Sequence, residues 1–264
     1  MKDCEQVKRH TRDSSLFLSM AAIMNNKLAI EIIGLFDSIS IVTPISNVSD
    51  TVEYMLQNDT CRQTVLKYIK RADIGIEDFS FTVSNVNAQE ETKVPIEALA
   101  DARFRVTKET KEIDVKSKHA VFGTDGRVVS HVELPFVEYQ SQGTIRLFEL
   151  LGPILGSLDK GRVVIVDELG TQLHPNLVRF ILSLFNAIDT NVNNAQLVCN
   201  SHDALLLEER VRRDQIWFAQ KNDVGESELY SLDEFKDTRK DDPFVKKYLL
   251  GVFGATPQPN KGDF

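Results

Sequence analysis

The chain has 264 residues, 31 of them basic and 39 acidic for a formal net charge of -8, and its 42% hydrophobic content suffices for one large or two small domains with a buried core. That charge balance argues against broad nucleic-acid coating and leaves only a local basic groove open, while three scattered cysteines, Cys4, Cys61 and Cys199, exclude a disulfide framework or zinc site and suit a reducing compartment. No apolar stretch approaches the roughly 18 residues of a membrane span, and the start MKDCEQVKRHTRD lacks the apolar core of a signal peptide, so a cytoplasmic protein without a membrane segment is expected.

In chain order, residues 13–38 carry apolar residues at helical spacing, and residues 50–71 read as one or two further helices of mixed charge. Residues 1–73 are therefore expected to form a helical lobe. From Ile74 to Val86 the pattern turns to period two, and the run from Lys111 to Tyr139 reads as two strands around the turn GTDG at 123–126. Between them, about 87–111, the chain is polar and charge-rich and reads as an exposed loop or short helix; the whole of 74–139 forms a β-rich region. A helix from Gly143 to Leu158 places Leu147, Leu151, Ile154 and Leu158 on one face and leads into a strand at 163–166. Next come a helix opened by Pro175, a strand at 195–199, a short helix after Asp203 and a strand at 215–220. Strands alternating with helices predict a mostly parallel sheet with crossovers, so 140–264 is expected to be α/β.

The stretch VVIVDELGTQLHP, residues 163–175, carries the most chemistry. Four β-branched residues bounded by charge read as a buried strand, which leaves Asp167 and Glu168 at the edge of the core. A nucleotide-hydrolysing site keeps its acids in such a place, the first holding Mg²⁺ through water and the second polarising the attacking water. The alternative is a strand end capped by two solvated acids. Upstream lies SQGTIRLFELLGPILGSL, 141–158, and downstream AQLVCNSHD, 195–203, a second apolar run ending in Ser201, His202 and Asp203.

This order resembles the catalytic half of an ATP-binding-cassette-type ATPase, with a signature segment, a Walker B strand, a D-loop and a switch histidine. The pieces RDSSLFLSMAAIMNN, QSQGTIRLFELLGPIL, VVIVDELGTQLHP, AQLVCNSHDALLL, RRDQIWFAQK and YLLGVFGATPQ look more narrowly like the AAA15-type, ABC-like ATPases, a group near the overcoming-lysogenization-defect nucleases. The resemblance implies an ABC-type core with a mostly parallel sheet, flanking helices, an N-terminal helical lobe and a β-hairpin region. It implies ATP and Mg²⁺ as ligands, a head-to-tail dimer as the active state and, in many prokaryotic relatives, a place in defence or abortive-infection loci beside an effector nuclease or toxin.

Residue by residue, the resemblance makes Asp167 the Walker B acid, Glu168 the catalytic glutamate and His202 the switch histidine that orients attacking water. Ser141 and Gly143 match the signature, where a hydroxyl and backbone N–H groups at a helix start meet the γ-phosphate of the opposite subunit. An acidic residue often precedes that serine, whereas here Gln140 does. His174 lies in the D-loop segment and either crosses the dimer interface near the nucleotides or simply leads the helix at Pro175. Arg146 reads as a surface ion pair or a phosphate contact, and Arg212 and Arg213 as structural links for the C-terminal strands.

One motif is absent from these 264 residues: no G-x-x-x-x-G-K-[ST] supplies a phosphate cradle and its lysine. GTDGRVV at 123 and GSLDKGRV at 156 read instead as hairpin and loop. The expectation is a truncated family member, a split ATPase whose P-loop sits on a partner chain, or a degenerate subunit kept for dimerisation, with poor ATP binding and low solubility when isolated. Two other classes stay open: a non-catalytic interaction module, and a metal-dependent phosphohydrolase or nuclease using Asp167, Glu168, His174, His202 and Asp203.

Overall fold

A computed structural model describes residues 2–36, 38–44, 48–72, 75–85, 111–209, 211–222, 224–236, 238 and 242–256. The polar stretch read as a loop or short helix falls outside the described residues up to position 110, as does the end of YLLGVFGATPQ from Pro257. The chain forms two compact units, Met1–Pro44 with Val163–Phe264, and Ile45–Arg162 inserted in sequence between them. These units are drawn along different lines from the three regions read in the sequence, because a strand at Ile39–Val42 pairs with one at Val163–Val166.

The first unit opens with helices α1 (Lys2–His10), α2 (Phe17–Ile23) and α3 (Lys27–Phe36), packed around Val7, Ala21 and Ala29. Asn26 starts α3 by accepting the Ala29 N–H at 3.1 Å on its side-chain oxygen. Strand β1 (Ile39–Val42) follows, inside the region expected to form a helical lobe and between the two stretches read as helices. Its four residues are too few for a periodic signal, and its partner lies far along the chain.

β1 forms a parallel sheet with β5 (Val163–Val166) and β6 (Gln196–Cys199) in the order β1-β5-β6. Between β5 and β6 runs α8 (Pro175–Asn186), the crossover helix that a parallel pair requires. The register aligns Ile41, Ile165 and Val198 across the three strands, and likewise Val42, Val166 and Cys199. One face of the sheet is buried through Val42, Val164 and Val166. The other shows Ile41 at 67% exposure and Val198 at 53%, a bare apolar row on a kind of sheet that ordinarily hides both faces.

The strand expected at 215–220 is present as β7 (Trp217–Lys221), but it does not extend the parallel sheet. It pairs antiparallel with β8 (Ser227–Ser231), since only the short 3-10 turns Ala204–Glu208 and Arg213–Gln215 separate it from β6 and a tight turn at Asn222–Glu226 returns the chain. Phe218, Leu232 and Phe253 form a small core there, with Tyr248 of α9 (Phe244–Leu249) stacked 5.7 Å from Phe218. Arg213 ties this module together by donating to the Thr238 carbonyl at 2.7 Å and to Asp233 at 2.8 Å, a structural role within the C-terminal segment.

The second unit holds α4 (Ser49–Gln57), α5 (Asp59–Arg71), an antiparallel sheet of β2 (Asp78–Asn85), β3 (Lys111–Phe122) and β4 (Val128–Pro135), the turn α6 (Phe136–Tyr139) and the long helix α7 (Gln142–Lys160). The turn between β3 and β4 contains Gly126 at φ +74° and bonds Gly123 N–H to Arg127 O at 2.8 Å, so GTDG is the hairpin expected. Buried Leu147, Phe148, Leu151 and Ile154 of α7 line a core, each contributing roughly 1.5–3 kcal/mol. Phe79, Phe136 and Phe148 meet there, with centroids 4.7 to 5.4 Å apart. The fold is α/β throughout: a parallel sheet, flanking helices and an antiparallel hairpin region.

Candidate functional site

β5 brings the two acids to the C-terminal edge of the parallel sheet. Its ladder with β1 continues one residue past the strand, where Asp167 N–H donates to Val42 O at 2.8 Å. Glu168 then adopts φ +53°, the left-handed conformation that costs a non-glycine residue roughly 1–2 kcal/mol. This bend turns the chain out of the strand and sends the next side chain, Leu169, back into the core with no exposure, while Asp167 and Glu168 stay exposed. The loop after β5 closes on itself through Thr171 N–H to Glu168 O at 3.0 Å, and the Thr171 hydroxyl donates to the Glu168 carboxylate at 3.0 Å.

The neighbouring strand ends in a residue that the motif reading did not single out. Asn200 follows β6, and its side-chain oxygen accepts the Glu168 backbone N–H while its amide nitrogen donates to Asp167 Oδ1 at 2.7 Å. Its main chain accepts Leu169 N–H at 3.0 Å and donates to Val166 O at 3.4 Å, prolonging the β5–β6 pairing beyond both strands. The only sequence signal was its place, one residue after an apolar strand and two before His202.

His202 and Ser201 are exposed just beyond Asn200. Ser201 Oγ accepts Asp203 N–H at 3.1 Å, and Asp203 accepts Leu205 N–H at 2.9 Å, which caps the following 3-10 turn. The loop after β5 lies against this segment at Gly170, where a Cβ would stand 3.1 Å from Ser201 Oγ. His174 caps α8: its Nδ1 accepts Asn176 N–H at 3.2 Å, with Pro175 at the first helical position.

Ser141 and Gly143 belong to the other unit. Ser141 is the N-cap of α7, its Oγ accepting Thr144 N–H at 3.1 Å and sharing a hydrogen bond with the Thr144 hydroxyl at 2.8 Å. Gly143 sits in the first turn, half-buried. Gln140 donates from its amide to Ser117 Oγ at 3.1 Å and to His119 Nε2 at 3.0 Å. His119 Nδ1 faces Gly75 O at 3.1 Å, and a carbonyl only accepts, so Nδ1 carries the proton and Nε2 is the acceptor. Arg146 is neither a surface ion pair nor exposed: it is buried at 3% exposure and pairs with Glu149 at 3.3 Å, because the helix turns that position into the core. Burial raises the Glu149 carboxyl above its ordinary range, against the pull of the Arg146 guanidinium.

These groups suit Mg²⁺ bound largely by substrate oxygens and water, since that ion commonly takes one or two carboxylates from a protein and Asp167 presents one at a strand tip. Among the described residues no three His, Cys, Asp or Glu side chains are gathered to hold a metal, and Asp167, Glu168, His174, His202 and Asp203 are all described. A hydrolase carrying its own Zn²⁺, Mn²⁺ or Fe cluster thus gains no support from the geometry. The nucleotide fits only in part, because the acids are in place while no phosphate-cradling motif occurs in the sequence.

The family model described as "AAA domain, putative AbiEii toxin, Type IV TA system" matches residues 9–208. That span runs from α1 to the 3-10 turn after His202 and stops before β7, β8 and α9. None of the curated proteins matches the chain.

Proposed function

The chain belongs to this AAA-domain family, and from that premise we propose that it is the hydrolytic part of an ABC-like ATPase. The observation that carries the reading is the exposed acid pair at the tip of a buried parallel strand, tied to the segment that bears His202. Asp167 would hold Mg²⁺ and Glu168 would accept a proton from the attacking water, with His202 orienting that water. Bound Mg²⁺ would supply neutralisation of charge on the phosphates. Ser141, Gly143 and the D-loop residue His174 would meet nucleotide across a head-to-tail dimer.

The cradle for the β- and γ-phosphates comes, in this reading, from a further segment or a partner chain. The apolar row of half-buried Ile165 between exposed Ile41 and Val198 supports it, since an added strand and helix would cover the apolar face and extend the sheet. The finer placement among AAA15-type ATPases rests on RRDQIWF and YLLGVFGATP, which lie beyond the matched span. The family description supports a toxin–antitoxin or abortive-infection setting, where a toxin or nuclease would be the effector. The missing phosphate motif favours a second reading, a non-catalytic dimerisation subunit.

Glu168→Gln separates the two. In the complete ATP-hydrolysing assembly it is expected to slow turnover by roughly 100-fold or more while ATP stays bound. Unchanged turnover overturns the catalytic assignment and leaves the scaffold reading.

A further inference from the structure

We propose that Asn200 is the positioning residue of the acid pair, one side-chain amide that holds Glu168 and Asp167 in place at once. Its consequence for hydrolysis rests on the ATPase reading; the arrangement itself does not.

The chemistry of the bridge explains why the residue is asparagine. The Glu168 backbone N–H can only donate and the Asp167 carboxylate accepts, so the group between them must present an acceptor to one and a donor to the other. A primary carboxamide does this in one plane, and the two partners leave a single orientation for it. Aspartate has the shape without the donor. Serine has one short hydroxyl for two partners, and glutamine is a methylene too long.

The bridge also accounts for a conformation that Glu168 would not adopt unaided. At φ +53° the Glu168 backbone sits in the left-handed region, and its N–H is turned toward β6 rather than along its own strand. The Asn200 oxygen takes that N–H, and the Asn200 carbonyl takes the next one, Leu169 N–H, so two successive donors are anchored on one residue. Losing the side chain leaves the Leu169 bond and frees the Glu168 peptide. A carboxylate whose backbone can pivot no longer presents a fixed oxygen to water, and a misplacement of about 1 Å is enough to cost roughly 100-fold in rate. On the other side, the amide occupies Asp167 Oδ1 and so selects which part of that carboxylate faces a cation.

Two substitutions divide these roles. Asn200→Ala removes both bonds, whereas Asn200→Asp keeps an acceptor for Glu168 N–H and replaces the donor to Asp167 with a second carboxylate that repels it. In the full chain, hydrogen exchange followed by NMR is expected to show the Glu168 amide exchanging at least about tenfold faster in Asn200→Ala, in proportion to the lost bond, and at nearly the original rate in Asn200→Asp. An unchanged Glu168 amide in Asn200→Ala overturns the proposal whatever the protein's activity. In the hydrolysing assembly, kcat should fall roughly 10- to 100-fold in both variants with KM for ATP little changed. Added to Glu168→Gln, Asn200→Ala should cost clearly less than it does alone, because the part that acts through Glu168 is already gone and only the Asp167 part remains. A full additive loss marks Asn200 as merely structural and also overturns it. Should Asn200→Ala fail to fold, the near-isosteric Asn200→Asp carries the Asp167 half, and wild-type kcat there refutes it. If Glu168→Gln leaves turnover untouched, the ATPase reading falls, while the amide exchange still decides on the bridge.

Discussion

Cys199 ends β6 one residue before the Asn200 bridge, and burial alone pushes its thiol up to about 11. The thiolate is the reactive form, so this residue should resist alkylation near neutral pH although its side chain is only partly covered. The sign follows from the direction of the shift. The fold favours the protonated thiol, so the stability it contributes is intact below the ordinary thiol range and is lost as the pH climbs toward 11. Mass-spectrometric mapping of iodoacetamide labelling should therefore show Cys199 unmodified at pH 8 and reactive only as the pH approaches 11; rapid labelling at pH 8 would contradict its burial. Asn200 beside it escaped notice because an asparagine after a strand carries no periodic or motif signal.

α7 has its own joint. Pro153 lies inside the helix and has no N–H for the Glu149 carbonyl one turn before it. Thr51 of α4 steps in: its hydroxyl donates to Phe148 O, lies 3.5 Å from Glu149 O, and accepts Gly152 N–H at 2.9 Å. Close approach is possible because position 152 is glycine; a Cβ there would fall 2.4 Å from Thr51 Cα. Thr51→Val keeps the shape and removes the hydroxyl, so chemical denaturation should show a loss of about 1–3 kcal/mol. Gly152→Ala should cost at least as much by forcing the helices apart, and a neutral result for both would mean that this crossing is not tightly packed. The helical period made α7 legible from sequence, while the Thr51 crossing depended on residues about a hundred positions apart.

Across the whole chain, the organising pairing is between β1 and β5, parallel neighbours separated by the entire inserted unit Ile45–Arg162. That arrangement leaves Ile41 and Val198 in register on the uncovered face of the sheet. Replacing both by threonine keeps β-branching and strand preference while removing apolar surface. Sedimentation of the isolated chain should show weaker concentration-dependent association for Ile41→Thr with Val198→Thr. Stability should change by no more than about 0.5 kcal/mol per site, as at other surface positions. A loss of several kcal/mol would instead show the row to be packed core.

Local physics in the sequence was enough to determine the β-branched run of β5, the acid pair at its end, the helix-opening Pro175 and the GTDG hairpin, since each depends on neighbours a few residues away. Tertiary structure alone decided that Ile39–Val42 joins β5, that β7 turns back on β8 instead of extending the parallel sheet, that Arg146 is buried, and that Asn200 spans the two acids. Each of these depends on which distant backbone lies alongside, and no local period or spacing encodes that choice.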